Sequence, residues 1–271
     1  YTLLFAKLVG DTGKVFAFEP DPVHFTILKK NVEINGYKNV ILKQKAVTDK
    51  NGNIKLYLSE QNLGDHRIYD SYDNRRSIDI ECIKLDDYFK DLNIIDSIKM
   101  IKIDVQGAEY GVIQGMEYIL KNNKNIKMIT EFAPSCIKLF GISPEDYINS
   151  LTKYGFKIKD LHNEISTDKL LEIYNNGTDI LTNLYCYREE SNSISIPIQK
   201  SISIQPDMVD NAYSSRMHFL LNNAIENKEK IINIGCADCA GFRDLDLDVT
   251  NIDIIDCVPP DYKHRSKFQI A

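Results

Sequence analysis

The pattern of apolar and polar positions alternates between two periods over the first two thirds of the chain. Short apolar runs, typical of buried strands, are separated by segments with apolar residues every three or four positions, typical of amphipathic helices. The runs predict strands at residues 15–18, 40–47, 98–103, 126–132 and 183–187, and strict alternation of apolar and polar residues predicts two more at 54–58 and 77–83. The helical segments lie at residues 1–9, 22–35, 108–120 and 144–154. This alternation predicts an α/β fold, a mostly parallel sheet with flanking helices.

The pattern changes after residue 188. Residues 189–206 are rich in Ser, Ile and Gln, include two prolines and have no helical period, which is typical of a linker. Helical spacing returns at residues 214–227, before an apolar run that ends at Gly235. We predict a domain over residues 1–188, a linker over 189–213 and a partial second Rossmann-like unit over 214–271.

Composition excludes several classes of protein. An apolar fraction of 43% is ordinary for a globular chain, and the net charge of −6 argues against nucleic acid as the main partner. No apolar run approaches the roughly 18 to 20 residues that span a bilayer. The six cysteines are read as reduced thiols, so we expect a cytoplasmic protein. The composition specifies no oligomeric state.

Two carboxylates stand at the ends of predicted strands. Glu19 follows the strand at 15–18, and Asp104 follows the strand at 98–103. Ligands of open α/β sheets bind beyond the carboxyl ends of the strands, so the pair predicts one nucleotide-type cofactor site. Glu19 would accept hydrogen bonds from ribose hydroxyls, or it is a solvated loop carboxylate. Asp104 would receive a proton or orient a substrate hydroxyl, or it caps the helix that begins near residue 108.

Three further side chains are candidates for substrate contact or catalysis. Glu131 ends another predicted strand and would contact cofactor or substrate, or only the loop backbone. His66 lies beside Asp65 and Arg67 and is a candidate general base, with Arg67 recognising a carboxylate or phosphate. The alternative is an ordinary surface loop.

The cysteine spacing at Cys236 and Cys239 does not predict a metal centre. No second Cys or His pair lies near these two residues, and structural zinc sites need four ligands. Their place directly after Gly235 favours a cofactor-binding loop instead.

The chain resembles the FkbM-type family of S-adenosylmethionine-dependent methyltransferases. The resemblance covers about residues 1–187 and rests on blocks at residues 13–22, 31–36, 46–49, 85–87 and 101–109 and on Glu131. It implies a class I methyltransferase fold, S-adenosylmethionine as cofactor and O-methylation of a hydroxyl, often on a sugar, a glycan or a polyketide.

The resemblance also assigns roles to particular residues. Glu19, with Pro20 beside it, would hold the ribose, the stretch around Ala46 would lie near the adenine, and Asp104 would face the reaction centre. The family's glycine-rich loop, which would hold the methionine end of the cofactor, precedes the first helix and is not among these residues. We therefore expect the chain to be a fragment of a longer gene product.

The C-terminal piece resembles the opening motif of a second class I methyltransferase domain. Gly235 would lie in its cofactor-binding turn, and Asp253 would be its ribose carboxylate. In the alternative arrangement, the strand around Ile231 folds back and supplies the sheet position that the first domain lacks. That arrangement requires pairing with the strands at 15–18 and 98–103.

Three functional hypotheses follow. In the first, a methyltransferase acts on a small-molecule or glycan hydroxyl, with Asp104 or His66 taking the proton. In the second, an NAD-dependent dehydrogenase shares the ribose carboxylate, but the chain lacks the G-x-G-x-x-G turn of that class. In the third, the domain is a degenerate, non-catalytic module that binds a glycan or a protein partner.

Overall fold

The structure of the protein is a computed structural model that describes residues 1–161, 165–188 and 230–234. Its strands are β1 (Lys14–Phe18), β2 (Val40–Lys43), β3 (Ala46–Val47), β4 (Gly52–Leu58), β5 (Arg76–Ile83), β6 (Ile98–Ile103), β7 (Lys127–Phe132), β8 (Lys157–Asp160), β9 (Thr182–Tyr187) and β10 (Lys230–Ile234). Its α-helices are α1 (Thr2–Val9), α2 (Pro22–Ile34), α3 (Leu85–Phe89), α4 (Glu109–Gln114), α5 (Glu117–Asn122), α6 (Pro134–Leu139), α7 (Pro144–Thr152) and α8 (Thr167–Asn175). A 3-10 turn, Ile95–Ser97, precedes β6.

A seven-stranded sheet in the order β2-β1-β10-β6-β7-β9-β8 organises the described residues. The five strands from β2 to β7 are parallel, and β9 runs antiparallel to both β7 and β8. This architecture confirms the predicted α/β fold with a mostly parallel sheet.

The predicted strand at 40–47 proves to be two strands in different sheets. β2 pairs with β1 in the large sheet, whereas β3 pairs with β5 in a small sheet of order β3-β5-β4. The apolar period records only that a segment is extended and buried, so it does not reveal that the chain changes sheets between the two strands.

β10 lies in the middle of the large sheet, between β1 and β6 and parallel to both. Its side chains from Ile231 to Ile234 are buried, and the Asn233 side-chain amide donates to Thr2 Oγ1 at 3.0 Å. This pairing is the one that the alternative arrangement requires. Gly235, Asp253 and the rest of the predicted linker and second unit lie outside the described residues, and the domain division stays a prediction.

Side chains of a strand alternate between the two faces of the sheet, so both faces carry apolar residues, and both are covered by helices. On one face, α1 packs over residues such as Val15, Met100 and Ile231. On the other face, Ile101 and Ile232 belong to a larger core that includes residues of α4, α5 and α7. Within the described chain, we find no helix with the length and apolar character to cross a membrane.

The N-terminus of α2 fixes the geometry beside the first strand end. Pro22 occupies the first turn of α2, where its missing N–H costs nothing. Asp21 caps the helix, since its Oδ1 accepts hydrogen bonds from the backbone N–H groups of Val23 and His24 at 2.8 Å each. Only residues 19–21 connect β1 to α2, and Glu19 is the first of them.

Candidate active site

A cleft at the carboxyl ends of β1, β10 and β6 brings together most of the predicted site residues. Its lining includes Glu19, Pro20, Ala46, His66 and Asp104, which come from widely separated parts of the chain. Apolar side chains contribute further wall area: Phe18, Val47, Leu56, Ile68 and Ile234. Polar groups thus converge on a partly apolar cleft, as in sites that bind small ligands.

Glu19 is buried rather than solvated, with only 2% of its surface exposed. Its Oε1 accepts a hydrogen bond from the backbone N–H of Asp21 at 2.8 Å, so the turn into α2 orients the carboxylate. The solvated-loop alternative is therefore wrong for this residue.

Asp104 is held by two donors. Lys102 Nζ lies 3.1 Å from its Oδ2, and the side-chain amide of Gln106 donates to its Oδ1 at 2.9 Å. The alternative that Asp104 caps the next helix is wrong: α4 begins at Glu109, its N-cap is Ala108, and no side chain caps it. The turn of chain between Asp104 and α4 separates the carboxylate from that helix terminus.

Lys102 is a site residue that the sequence analysis missed. Burial alone would lower the pKa of this lysine, but the nearby charges, that of Asp104 above all, raise its pKa above the ordinary value. Its ammonium also lies 5.2 Å from the centre of the Tyr1 ring. The sequence signal was a lysine between two isoleucines near the end of a predicted buried strand, since strands of a parallel sheet are buried on both faces.

Gln106, also missed, joins two of the predicted carboxylates. Its side-chain Nε2 donates to Asp104 Oδ1 at 2.9 Å and to Glu131 Oε2 at 3.1 Å. Glu131, which is buried in β7, therefore belongs to the same network as Asp104 although it does not line the cleft described above.

His66 stacks on His24 at the cleft wall, with ring centres 4.9 Å apart and planes inclined by 11°. Its Nδ1 accepts the backbone N–H of Ser59 at 3.1 Å, so in the neutral ring the proton resides on Nε2. Burial, assisted by the neighbouring His24, lowers the pKa of His66 to about 4. The ring is thus neutral near pH 7 and presents an N–H donor toward Asp21.

Asp21, His24 and His66 offer ligand-type atoms within 4.8 Å of one another. A metal ion must lie in the plane of each imidazole that binds it, and two stacked, nearly parallel rings cannot both satisfy this for one ion. His66 Nε2 also carries the ring proton. In this arrangement the three side chains do not form a metal centre.

Arg67 lies outside the lining of the cleft, in the loop between β4 and β5. Its guanidinium makes a two-point contact with Asp65, with Nε 2.6 Å from Oδ1 and Nη2 3.1 Å from Oδ2. Arg75 pairs with the same carboxylate at 2.7 Å. An anionic ligand would have to compete with Asp65 for Arg67, whose observed contacts brace the loop.

Comparison with known proteins agrees with this architecture. A family model described as the methyltransferase FkbM domain matches residues 1–158. A curated relative from Beauveria bassiana (strain ARSEF 2860), named Methyltransferase 1, is 22% identical over 132 residues, which cover 42% of this chain and 53% of that protein. The chain thus spans about half the length of this relative. No solved structure matches the chain.

Proposed function

The chain belongs to the FkbM methyltransferase family, and on this premise we propose that it uses S-adenosylmethionine to methylate a hydroxyl of a sugar, a glycan or a related small molecule. The observation that carries the proposal is that Asp104 and the buried Glu19 line the same cleft. Both follow parallel strands, where nucleotide-type ligands bind.

The residues of the cleft fit a nucleoside cofactor. The Glu19 carboxylate is an acceptor pair suited to the two hydroxyls of a ribose. The stretch around Ala46, with Leu56 and Ile68 nearby, offers apolar surface suited to a flat base. S-adenosylmethionine, when bound, would supply an activated methyl group on a sulfonium.

In this proposal the chain's own role in catalysis is to position the acceptor and manage its proton. Of the two predicted proton acceptors, Asp104 suits the task better, because it is a carboxylate fixed by Lys102 and Gln106. His66 offers a protonated Nε2 in its observed hydrogen bonding and is better suited to donate. In-line transfer requires such fixed groups, because small displacements of the reacting atoms slow it strongly.

The compartment belongs to the same proposal. Cys82, Cys136 and Cys186 are free thiols in the structure, which fits a reducing environment. We therefore place the protein in the cytoplasm.

Calorimetry with S-adenosylhomocysteine on the full-length protein that contains this chain tests the proposal. Glu19→Gln should weaken binding at least tenfold, because a charge-assisted acceptor is lost. Glu33→Gln is the control, since Glu33 is exposed on α2 and, among the residues that the structure describes, forms an ion pair only with Lys29, at 4.0 Å. Equal affinities of the wild type and Glu19→Gln would contradict the assignment of Glu19. No binding by the wild type would favour the non-catalytic module.

A further inference from the structure

The backbone between β6 and α4 adopts an uncommon conformation at two successive residues. Gln106 has φ 55° and Gly107 has φ 103°, and a positive φ is disfavoured for a residue with a side chain. Such a conformation persists where surrounding contacts determine it. Two side chains hold this turn: one accepts hydrogen bonds from its backbone N–H groups, and the other donates a hydrogen bond to its carbonyl oxygen.

Glu109 holds the N–H groups. Its Oε1 accepts hydrogen bonds from the backbone N–H of Val105 at 3.0 Å and of Gly107 at 3.3 Å. The side chain is 1% exposed, so water does not compete for these donors. The carboxyl therefore ties together the residues on either side of Gln106.

Tyr69 holds the carbonyl. Its hydroxyl lies 2.7 Å from the Gln106 carbonyl oxygen and 3.2 Å from that of Cys136, and donates toward them. A Cβ placed on Gly107 would lie 2.6 Å from both the Tyr69 hydroxyl and the Cys136 carbonyl oxygen. The absence of a side chain at Gly107 thus gives the phenol access to the turn.

The conformation of this turn places the Gln106 side chain between the carboxylates of Asp104 and Glu131. One amide group bridges Asp104 and Glu131, whose like charges would otherwise repel each other. We propose that Tyr69 and Glu109 are positioning residues that hold the Gln106 turn and thereby fix the relative placement of the Asp104 and Glu131 carboxylates. The catalytic meaning of this role rests on the proposed function, in which Asp104 faces the acceptor.

Nuclear magnetic resonance of the Gln106 side-chain amide tests the proposal without an activity assay. Tyr69→Phe removes one hydroxyl and keeps the ring, which packs edge-on against Phe140 at 5.4 Å. We expect the Gln106 amide signals to shift and exchange of the Gly107 backbone amide to quicken about tenfold, as for a loosened hydrogen bond. Tyr72→Phe removes a hydroxyl from the same loop at an 85% exposed residue and should change neither.

The conservative substitution at Glu109 separates positioning from mere folding. Glu109→Ala removes the acceptor and should shift the Gln106 signals, whereas Glu109→Gln keeps a carbonyl oxygen for the two N–H groups and should restore them. If Glu109→Ala fails to fold, Tyr69→Phe decides alone. Wild-type Gln106 signals and Gly107 exchange in Tyr69→Phe would overturn the proposal.

Failure here is distinguishable from failure of the proposed function. Tyr69 and Glu109 do not line the cleft that contains Glu19, but Asp104 and Gln106 do. The proposed function is therefore judged on S-adenosylhomocysteine binding by the wild type, and the positioning role on the Gln106 signals of Tyr69→Phe. If the wild type binds S-adenosylhomocysteine but the Gln106 signals do not shift in Tyr69→Phe, only the positioning role is rejected. A wild type that does not bind S-adenosylhomocysteine rejects the methyltransferase proposal but leaves the resonance test valid.

Discussion

Lys102 and Asp104 form an ion pair along one edge of the candidate active site, with Nζ 3.1 Å from Oδ2. Asp104 directly follows β6, and its backbone N–H still donates to the carbonyl of Ile234 in β10. The alternation of the strand therefore extends to Asp104 and places it on the same side as Lys102, within reach of the ammonium. Lys102 is 1% exposed, and an unpaired charge at such a depth would be costly. The folded state therefore depends on the charge of Asp104, the residue proposed to face the acceptor, because this charge compensates the buried Lys102.

Lys102→Met should destabilise the protein by about 3 kcal/mol, because it leaves the Asp104 carboxylate without its cation in a mostly buried setting. Urea unfolding measures the change. Lys55→Met is the matched control: Lys55 pairs with Asp79 at 2.9 Å, but both side chains are more than half exposed, so its loss should cost under about 1 kcal/mol. Equal effects of the two substitutions would contradict this account.

Gly107→Ala should destabilise the protein more than Gly36→Ala. Both glycines have positive φ, 103° and 70°, so both substitutions carry backbone strain of about 1–2 kcal/mol. Only at Gly107 would the new Cβ also collide with Cys136 and Tyr69, whereas at Gly36 no atom of the described residues lies within 4 Å. We expect a difference of at least about 1 kcal/mol in denaturant unfolding, from the added overpacking.

Acidification should destabilise the fold through His66. Burial lowers the pKa of this buried imidazole from 6.5 to about 4, so between these values the unfolded chain binds more protons than the folded one. Stability then falls as the pH falls from about 6.5 toward 4, by up to roughly 3 kcal/mol. Thermal unfolding of wild type and His66→Asn across this range should show a shallower loss for the variant.

The stacked partner offers a control for that experiment. Burial also lowers the pKa of His24, and two adjacent imidazolium rings repel each other. The effects of His66→Asn and His24→Asn on the pH dependence should therefore be non-additive in the double variant. Parallel pH profiles for the wild type and all three variants would refute the role of the pair.

Glu109 should act in the opposite direction. Burial raises the pKa of this carboxyl from 4.5 to about 7, so between these values the folded protein binds more protons. The stabilising contribution is present below about pH 4.5 and is lost as the pH rises through 7. Glu109→Gln cannot titrate, and its stability relative to wild type should improve across this window by on the order of 3 kcal/mol in urea unfolding. A constant difference between pH 4.5 and 8 would contradict the shifted pKa.

The parts of the fold that local pattern specifies were predictable from the sequence. β1, β6 and β7 combine β-branched or aromatic residues with short length, and α2 begins at a proline after a capping aspartate, so local chemistry identifies each of them. β8 has an alternating burial pattern with exposed lysines and was missed because it contains a single apolar residue. The position of β10 depends on pairing with residues far away in the chain, which periodicity does not encode.

The residues of the candidate site likewise divide into those that local sequence predicts and those that depend on distant contacts. Glu19 and Asp104 were predictable because strand ends are a general location for ligand-binding carboxylates. Gln106 was not, because its role depends on a positive φ and on two carboxylates from different strands. Arg67 looked available for an anion, but the neighbouring Asp65 already engages its guanidinium in the folded loop.

The central position of β10 has a kinetic consequence. Lys14 is in register with Lys230, over two hundred residues later in the chain. The pairing of β1 with β10 in the middle of the sheet therefore joins residues of very large sequence separation. Closure of such long loops slows folding. During synthesis, β1 and β6 also present unpaired edges until β10 emerges from the ribosome, and open edges readily pair with other chains. Assembly of this sheet is thus a late event, sensitive to the concentration of neighbouring unfolded chains.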